Sequence, residues 1–449
     1  MTDTLAAQAG VLRLHAGDWA RRGVGERIAV LARWSAEIAA RRPALVAGLA
    51  RDTGRLALSE MEVGAVLSSI ERHSGWAREL LAQGQERSSA DGAVAIRDAP
   101  VPYGLVGVVS PWNFPLQLAL IDAVPALLAG CAVLVKPSEL TPSFVPALRE
   151  SIAAVPELAA VLSIVEGGPA AGAELVRQVD AVCFTGSVRT GRLVAAAAAE
   201  QFIPAFLELG GKDPAIVTAT ADLDVASSAI LWGSTANTGQ SCMSLERVYV
   251  EAPVAEEFVE RLVAKANRVR LAVPEPADGE LGPFIDDRQA DVVAAQLADA
   301  VAQGATIRCG GQIEVHGGRR YLRPTVVTGV NHEMTLMSVE TFGPVIPIMV
   351  ADSVEDAVRL ANDSEYGLSG AVFADPEQAA LIAPRLLAGG ISVNDVCLTG
   401  LVPEGEKQAF KSSGLGPSRM GPASLRRFLR QRVLLTRRSP RIQPWWYDV

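Results

Sequence analysis

The sequence predicts an α/β protein made of two units, each a parallel sheet covered by helices, and three observations carry that prediction. The chain has 449 residues, more than one hydrophobic core usually holds. Between Val106 and Glu200 short apolar runs alternate with segments of helical period, the pattern of parallel strands buried on both faces. A second series of the same kind starts near Gly210, which places the junction there.

Taken in order, residues 26–83 read as helices, because apolar residues recur every three or four positions from Ile28 to Ile38 and from Met61 to Leu81. Strand Val106–Val109 precedes a helix over Leu116–Ala129, then strand Ala132–Val135 and helix Ser143–Ala154. Strands Leu162–Val165 and Ala181–Phe184 follow, the latter running into helix Thr190–Glu200. The second series comprises strand Ala215–Val217, strand Arg247–Val250, helix Ala255–Val269 and strand Val345–Val350. It closes with helix Glu355–Asn362, opened by the Ser353/Asp356 capping pattern, and strand Gly390–Asn394. Ligands of parallel sheets sit beyond the carboxyl ends of the strands. In the first unit those positions are Ser110–Pro115, Lys136–Glu139, Glu166–Pro169 and Thr185–Arg189.

Composition narrows the function. A net charge of −9 offers no basic footprint for nucleic acid or an anionic membrane. The longest near-apolar stretch, Ala123–Val135, is too short for a membrane span, and the N-terminus lacks an export pattern. Five cysteines (131, 183, 242, 309 and 397) form no CxxC pair, so neither a disulfide framework nor a cysteine zinc site is expected and a reducing cytoplasm fits. Four histidines without HExxH-like spacing leave no metal signature.

Candidate chemistry lies in a few loops. Cys242 ends Thr238-Gly-Gln-Ser-Cys242, a glycine-containing loop ahead of a strand; it is either a small buried hydrophobe or a nucleophile favoured by backbone amides. Glu208 in Phe206-Leu-Glu-Leu-Gly-Gly-Lys212 is either a paired structural carboxylate or a general base. Asn113, between Pro111 and Pro115, either stabilises a turn or points at a developing oxyanion. Lys136 emerges at a strand's carboxyl end, solvated or facing a nucleotide. Gly186-Ser-Val-Arg-Thr-Gly191 is a strand-to-helix turn whose amides suit a phosphate, although it lacks GxGxxG.

Together, PWNFP, VKPSELTP, FTGS, LELGGK, GQSC and ETFGP, in that order, resemble the aldehyde dehydrogenase superfamily over nearly the whole chain, and the separation of Glu208 and Cys242 is similar too. The resemblance implies NAD(P)-dependent oxidation of an aldehyde to a carboxylic acid, with Cys242 as nucleophile, Glu208 as general base, and the Asn113 side chain with the Cys242 N–H as oxyanion donors. It implies NAD, with NADP possible, at Ser110, Pro111, Trp112, Lys136, Ser138, Glu139, Gly168, Gly172, Phe184, Gly186, Ser187, Leu209, Glu340 and Phe342. A carboxylate at Glu139 suits a ribose 2′-hydroxyl and opposes a 2′-phosphate, which favours NAD.

The resemblance further implies a Rossmann-like cofactor domain (1–86 and 104–209), a catalytic domain (210–418) and an oligomerisation element (87–103 and 419–449), with a homodimer or homotetramer as the assembly. Departures from the family pattern occur at Met243-Ser-Leu-Glu-Arg247, at Pro403–Gly414, and in a shorter N-terminal part. The candidate tunnel residues Leu116, Leu118, Ile121, Ala236 and Met243 are apolar and no arginine for a substrate carboxylate is evident. An uncharged aliphatic or aromatic aldehyde is therefore expected, ahead of a semialdehyde or a CoA-acylating reaction, which would not need Glu208. The terminal Trp445-Trp446 pair suggests contact with a neighbour.

Overall fold

The computed structural model describes residues 2–81, 86–439 and 445–447. It contains two large sheets. The first has six strands in the order Gly414–Leu415, Ala205–Glu208, Ala181–Thr185, Leu105–Val109, Ala132–Lys136 and Leu162–Ile164. All neighbours are parallel except Gly414–Leu415, which runs antiparallel to Ala205–Glu208 with Gly414 opposite Glu208. The second sheet runs Thr306–Cys309, Thr325–Thr328, Val345–Ala351, Leu245–Glu251, Asp213–Val217, Ser369–Phe373 and Gly390–Val393. Only Thr306–Cys309 is antiparallel there.

Period-two alternation explains why the second sheet is covered on both faces. Tyr249, Ile216, Val327 and Val372 pack under helices Asp287–Ala302, Val354–Asn362 and Pro376–Ile382. Their chain neighbours Val248, Val250, Ala215, Val217, Val326 and Ala371 face helices Leu223–Thr235 and Ala255–Ala266. The first sheet shares one core with the N-terminal helices Thr2–Arg21, Val24–Ala40, Arg42–Thr53 and Leu56–Leu80. Two indoles in that core have their N–H satisfied, Trp19 by the Leu127 carbonyl at 2.9 Å and Trp34 by Ser151 Oγ at 3.0 Å.

Most expected elements are present within a few residues of their expected ends, and the Ser353 side chain does accept from the Asp356 amide. The single helix expected over Leu116–Ala129 is two, Pro115–Leu120 and Ala123–Ala129. Pro125 has no N–H for the Ile121 carbonyl, so the chain turns at Ile121–Asp122. Leu116 is fully buried in the main core and lines no tunnel. The two segments expected near an oligomer contact pair with each other: Val94–Asp98 lies antiparallel to Val433–Arg437, and Val101–Pro102 to Leu429–Arg430. Trp445 and Trp446 are exposed; the other tail residues except Tyr447 lie outside the described set. Among the described residues no helix is long and apolar enough to cross a membrane.

The turn at Asp122 has a further role. Its buried carboxylate accepts from Arg419 at 2.7 Å and from Arg427, tying the C-terminal segment to the first sheet. Burial works against this charge, but the two guanidiniums outweigh it and hold Asp122 below the ordinary carboxylate range. Replacing Asp122 with Ala strands two buried cations and should cost about 3–5 kcal/mol of stability, read from urea midpoints. Because the folded pKa is depressed, the wild-type advantage is complete above the ordinary aspartate pKa and fades as pH falls through the folded one. A variant within experimental error of wild type at neutral pH would contradict the role.

Candidate active site

The two sheets meet at Leu209–Lys212. The chain leaves the carboxyl end of Ala205–Glu208 and enters the amino end of Asp213–Val217 within four residues, so one loop presents chemistry from both sheets. Gly210 and Gly211 make that crossing possible. A Cβ on Gly210 would come within 2.7 Å of the Glu340 carboxylate, and one on Gly211 within 2.2 Å of the Cys242 carbonyl oxygen. The Gly211 amide donates to Glu340 Oε1 at 3.0 Å. Cys242 and Glu340 thus flank the loop that follows Glu208.

Cys242 is half-buried, in a loop whose preceding turn is held in an uncommon backbone. Asn237 and Thr238 have φ of 57° and 58°, costly for residues with a Cβ, and Gly239 follows at 66°. Hydrogen bonds offset that strain. Asn237 Nδ2 donates to the carbonyls of Asn113 and Gln240 at 3.0 and 2.9 Å, and Thr238 Oγ1 donates to the Gly282 carbonyl at 2.9 Å. Gly239 packs on Gly343 so closely that a Cβ would lie 2.2 Å from its carbonyl oxygen. The Cys242 loop is therefore fitted against the ETFGP segment.

Asn113 is buried, and its Nδ2 donates to the Gln240 carbonyl at 3.0 Å. Among the described residues its second amide hydrogen and the Cys242 N–H have no acceptor. Asn113 is supported by a group the sequence reading missed. Arg55 donates to the Asn113 carbonyl at 3.0 Å and to Asn237 Oδ1, and pairs with buried Glu62 at 3.3 Å. Glu62 in turn accepts from the amides of Leu116 and Gln117 at 3.0 and 3.1 Å. No local pattern marks this pair, because its partners lie far along the chain.

Glu208 ends its strand half-buried, and its carboxylate has no ion pair or hydrogen bond among the described residues. Glu340 is different. Burial first, and then the charge of Glu246, push its carboxyl up to about 8. Glu246 belongs to the segment that departs from the family pattern. It accepts from Lys212 Nζ, from the Thr341 amide and from the Phe342 amide, each at 2.7 Å. Phe342, with φ of 52°, is held in the left-handed region by that carboxylate.

The remaining predicted cofactor residues lie at and beyond the carboxyl ends of the first sheet's strands. Lys136 Nζ donates to Glu139 Oε2 at 3.1 Å. Gly168 and Gly172 lie against them, with Cβ positions 3.9 Å from Glu139 Oε1 and 3.7 Å from Lys136 Cδ. Ser110, at the carboxyl end of the central strand, is buried with its Oγ unpartnered. Ser138 Oγ accepts from the Leu140 amide at 3.2 Å, and Pro111 is half-buried beside Trp112. Trp112 stacks edge-on against Phe342 with ring centres 5.5 Å apart. Three residues are otherwise occupied: Ser187 caps its own helix at Thr190, Leu209 packs on Gly191, and buried Phe184 sits over Gly186. A strand-end edge with a hydroxyl unpartnered among the described residues, an ammonium–carboxylate pair and close glycines fits a dinucleotide.

Residues 5–434 match the aldehyde dehydrogenase family model. The chain belongs to that family. An aldehyde dehydrogenase, provisionally so named, from Anabaena variabilis is 51% identical, with a TM-score of 0.98 covering 100% of this chain and 96% of that one. Betaine aldehyde dehydrogenase from Staphylococcus aureus, solved with NAD+, is 27% identical, with a TM-score of 0.93 over 100% of this chain and 90% of that one. A Mycolicibacterium smegmatis protein, provisionally named succinate-semialdehyde dehydrogenase [NADP(+)], is 35% identical over 430 residues, 95% of this chain and 83% of its own. This aldehyde dehydrogenase is an NAD(P)-dependent oxidoreductase that converts an aldehyde to a carboxylic acid.

The acidity of the thiol has a measurable consequence. Burial and then the charge of Glu340 push Cys242 up to about 12, with Lys407 opposing. A raised folded pKa makes the thiolate the minor form at neutral pH. Alkylation of Cys242 by iodoacetamide, followed by peptide mass spectrometry, should keep accelerating well above the ordinary thiol pKa of about 8.5. A plateau at or below that pH would show a preformed thiolate.

Proposed function

We propose that Cys242 attacks the aldehyde and that Glu208 activates the water that releases the acid. One observation carries this reading: the Cys242 carbonyl lies against Gly211 in the crossing that begins directly after Glu208, which sets nucleophile and carboxylate from different sheets around one gap. Attack by the sulfur converts the carbonyl oxygen to an alkoxide. The Cys242 N–H and the second Asn113 amide hydrogen, neither of which has an acceptor among the described residues, are the donors for it. A nicotinamide dinucleotide held beside Cys242 by Trp112, Glu340 and Phe342 would supply the hydride acceptor for oxidation of the bound aldehyde. Glu208, free of other partners, takes a proton from water as the oxygen attacks the thioester carbon, and Cys242 is the leaving group.

Lys136, Glu139, Gly168, Gly172 and Ser110 hold the adenosine side of the cofactor in this reading, and Trp112, Glu340 and Phe342 the nicotinamide side. The cofactor unit is 1–86 with 104–209, the catalytic unit 210–418, and 87–103 with 419–449 the oligomerisation element. The outer edge of Val433–Arg437, with Val433 and Leu435 exposed, supports a dimer or dimer of dimers in the cytoplasm. A semialdehyde substrate, the class in the Mycolicibacterium relative's name, is favoured by one observation: the ammonium of Lys407 is unpaired among the described residues near Cys242.

Glu208→Gln should uncouple the two half-reactions. Rapid mixing with aldehyde should give a burst of reduced cofactor, then turnover slowed by about a hundredfold or more, since the amide cannot accept the proton. Loss of the burst along with turnover would remove Glu208 from the hydrolytic step.

Cofactor choice tests the strand-end edge separately. With the Glu139 carboxylate beside Gly168, kcat/KM should be higher for NAD than for NADP, and Glu139→Ser should narrow the gap. The Lys136 ammonium, already paired to Glu139, keeps NADP from being excluded outright. A wild type that prefers NADP would refute this reading of Glu139 without touching Cys242.

A further inference from the structure

Residues 402–409 join the helical turn Leu398–Leu401 to the short strand Phe410–Lys411, and they are held at several points. The Pro403 carbonyl accepts from the Gly421 amide at 2.8 Å. Glu406 accepts from the Ala423 amide at 2.8 Å and from Arg426 at 2.7 Å. The Lys407 amide donates to Ser418 Oγ at 3.1 Å, and the Gln408 carbonyl sits where a Cβ on Gly389 would be. The loop is a fixed platform.

From it the Lys407 stem passes over Gly390, whose Cβ position lies 3.2 Å from Lys407 Cδ and 2.3 Å from the Thr399 methyl. Thr399 Oγ1 donates to Met243 Sδ at 3.4 Å, and Met243 follows Cys242 in the chain. Gly390 opens its strand opposite Ser369, whose hydroxyl donates to Asp213. Lys407 therefore lies along the same amino edge of the second sheet as Cys242. Its charge opposes burial at both Cys242 and Asp213, as expected of a cation facing the same gap.

The other buried cations around the gap are committed. Lys212 is held by Glu246, Arg55 by Glu62, and Arg419 and Arg427 by Asp122. The half-buried Lys407 ammonium has no carboxylate or hydrogen-bond partner among the described residues. Partial desolvation of an unpaired cation is unfavourable, and a ligand anion offsets it.

We propose that Lys407 anchors a carboxylate at the far end of the substrate, so that this aldehyde dehydrogenase selects semialdehydes of short dicarboxylic acids over uncharged aldehydes. The inference rests on Cys242 as the nucleophile. It replaces the uncharged substrate that the sequence favours, because a search for an arginine overlooks a lysine carried on a distant loop.

The test compares succinic semialdehyde with butanal. Wild type should favour the semialdehyde, and Lys407→Met should lower the ratio of the two kcat/KM values by about tenfold or more through the semialdehyde KM, with Lys407→Arg restoring much of it. An unchanged ratio, or a wild type that prefers butanal, overturns the proposal. A second measurement does not depend on turnover: succinate should slow alkylation of Cys242 by iodoacetamide in wild type and not in Lys407→Met. Absence of protection in wild type overturns the anchor. Protection without oxidation of either aldehyde would instead remove the catalytic reading and leave the anchor standing.

Discussion

The buried ion pair between Lys212 and Glu246 is the contact on which the site depends. Both side chains are essentially inaccessible, and the three segments they join are the crossing loop, the strand after Cys242 and the ETFGP segment. Burial lowers the Lys212 pKa, and the charge and hydrogen bond of Glu246 oppose that fall. Arg247, next in sequence, extends the arrangement: it donates to the Lys212 carbonyl at 2.9 Å and to the carbonyl of Ala361 at 2.9 Å. Side-chain and backbone positions of Lys212 are thereby fixed from opposite sides. Glu246 also stabilises the left-handed backbone at Phe342, so one carboxylate serves both the junction of the sheets and the ring that meets Trp112.

This arrangement explains why uncommon backbone gathers around Cys242. Asn237, Thr238 and Phe342 each occupy a conformation that would relax if unsupported. Arg55 holds Asn237 and Glu246 holds Phe342, while Thr238 donates its own hydroxyl to the Gly282 carbonyl. The two clamps do not touch the same segment, and between them they fix both walls of the gap. Rigid support of this kind would keep the proposed oxyanion donors, Asn113 and the Cys242 N–H, aimed without reorganisation.

Much of the fold was legible because it follows from periodicity. Helix 24–40, the four strands Leu105–Val109, Ala132–Lys136, Leu162–Ile164 and Ala181–Thr185 of the first sheet and the Ser353 cap all express local pattern, whereas Ala205–Glu208 and Gly414–Leu415 were not read. Helix Asp287–Ala302 carried the same signal at Ala290, Val293, Leu297 and Ala300 and could have been read. Strand Thr325–Thr328 is short and has no long helix beside it in the chain, and Ser369–Phe373 opens on the small residues Ser369, Gly370 and Ala371, which leave little apolar signal. For the site, ordered motifs located the strand-end edge and Cys242, but Arg55, Glu62 and Lys407 act through partners remote in sequence. Glu246 was visible only as a departure from the family pattern, and its meaning required the position of Lys212.

The antiparallel strand Gly414–Leu415 has a consequence for how the protein is made. Ala205–Glu208 is otherwise the edge of the first sheet, and Gly414 lies directly opposite Glu208. During synthesis the first sheet can assemble long before that last strand leaves the ribosome, since its other five strands end by residue 208. Until then the strand bearing Glu208 has an open edge, and Asp122 lies buried without Arg419 and Arg427. The nascent first half is thus a folded sheet with an unpaired border, the kind of surface that recruits other strands. Completion of the site and closure of that border are a single late event, set by the emergence of residues 414–427.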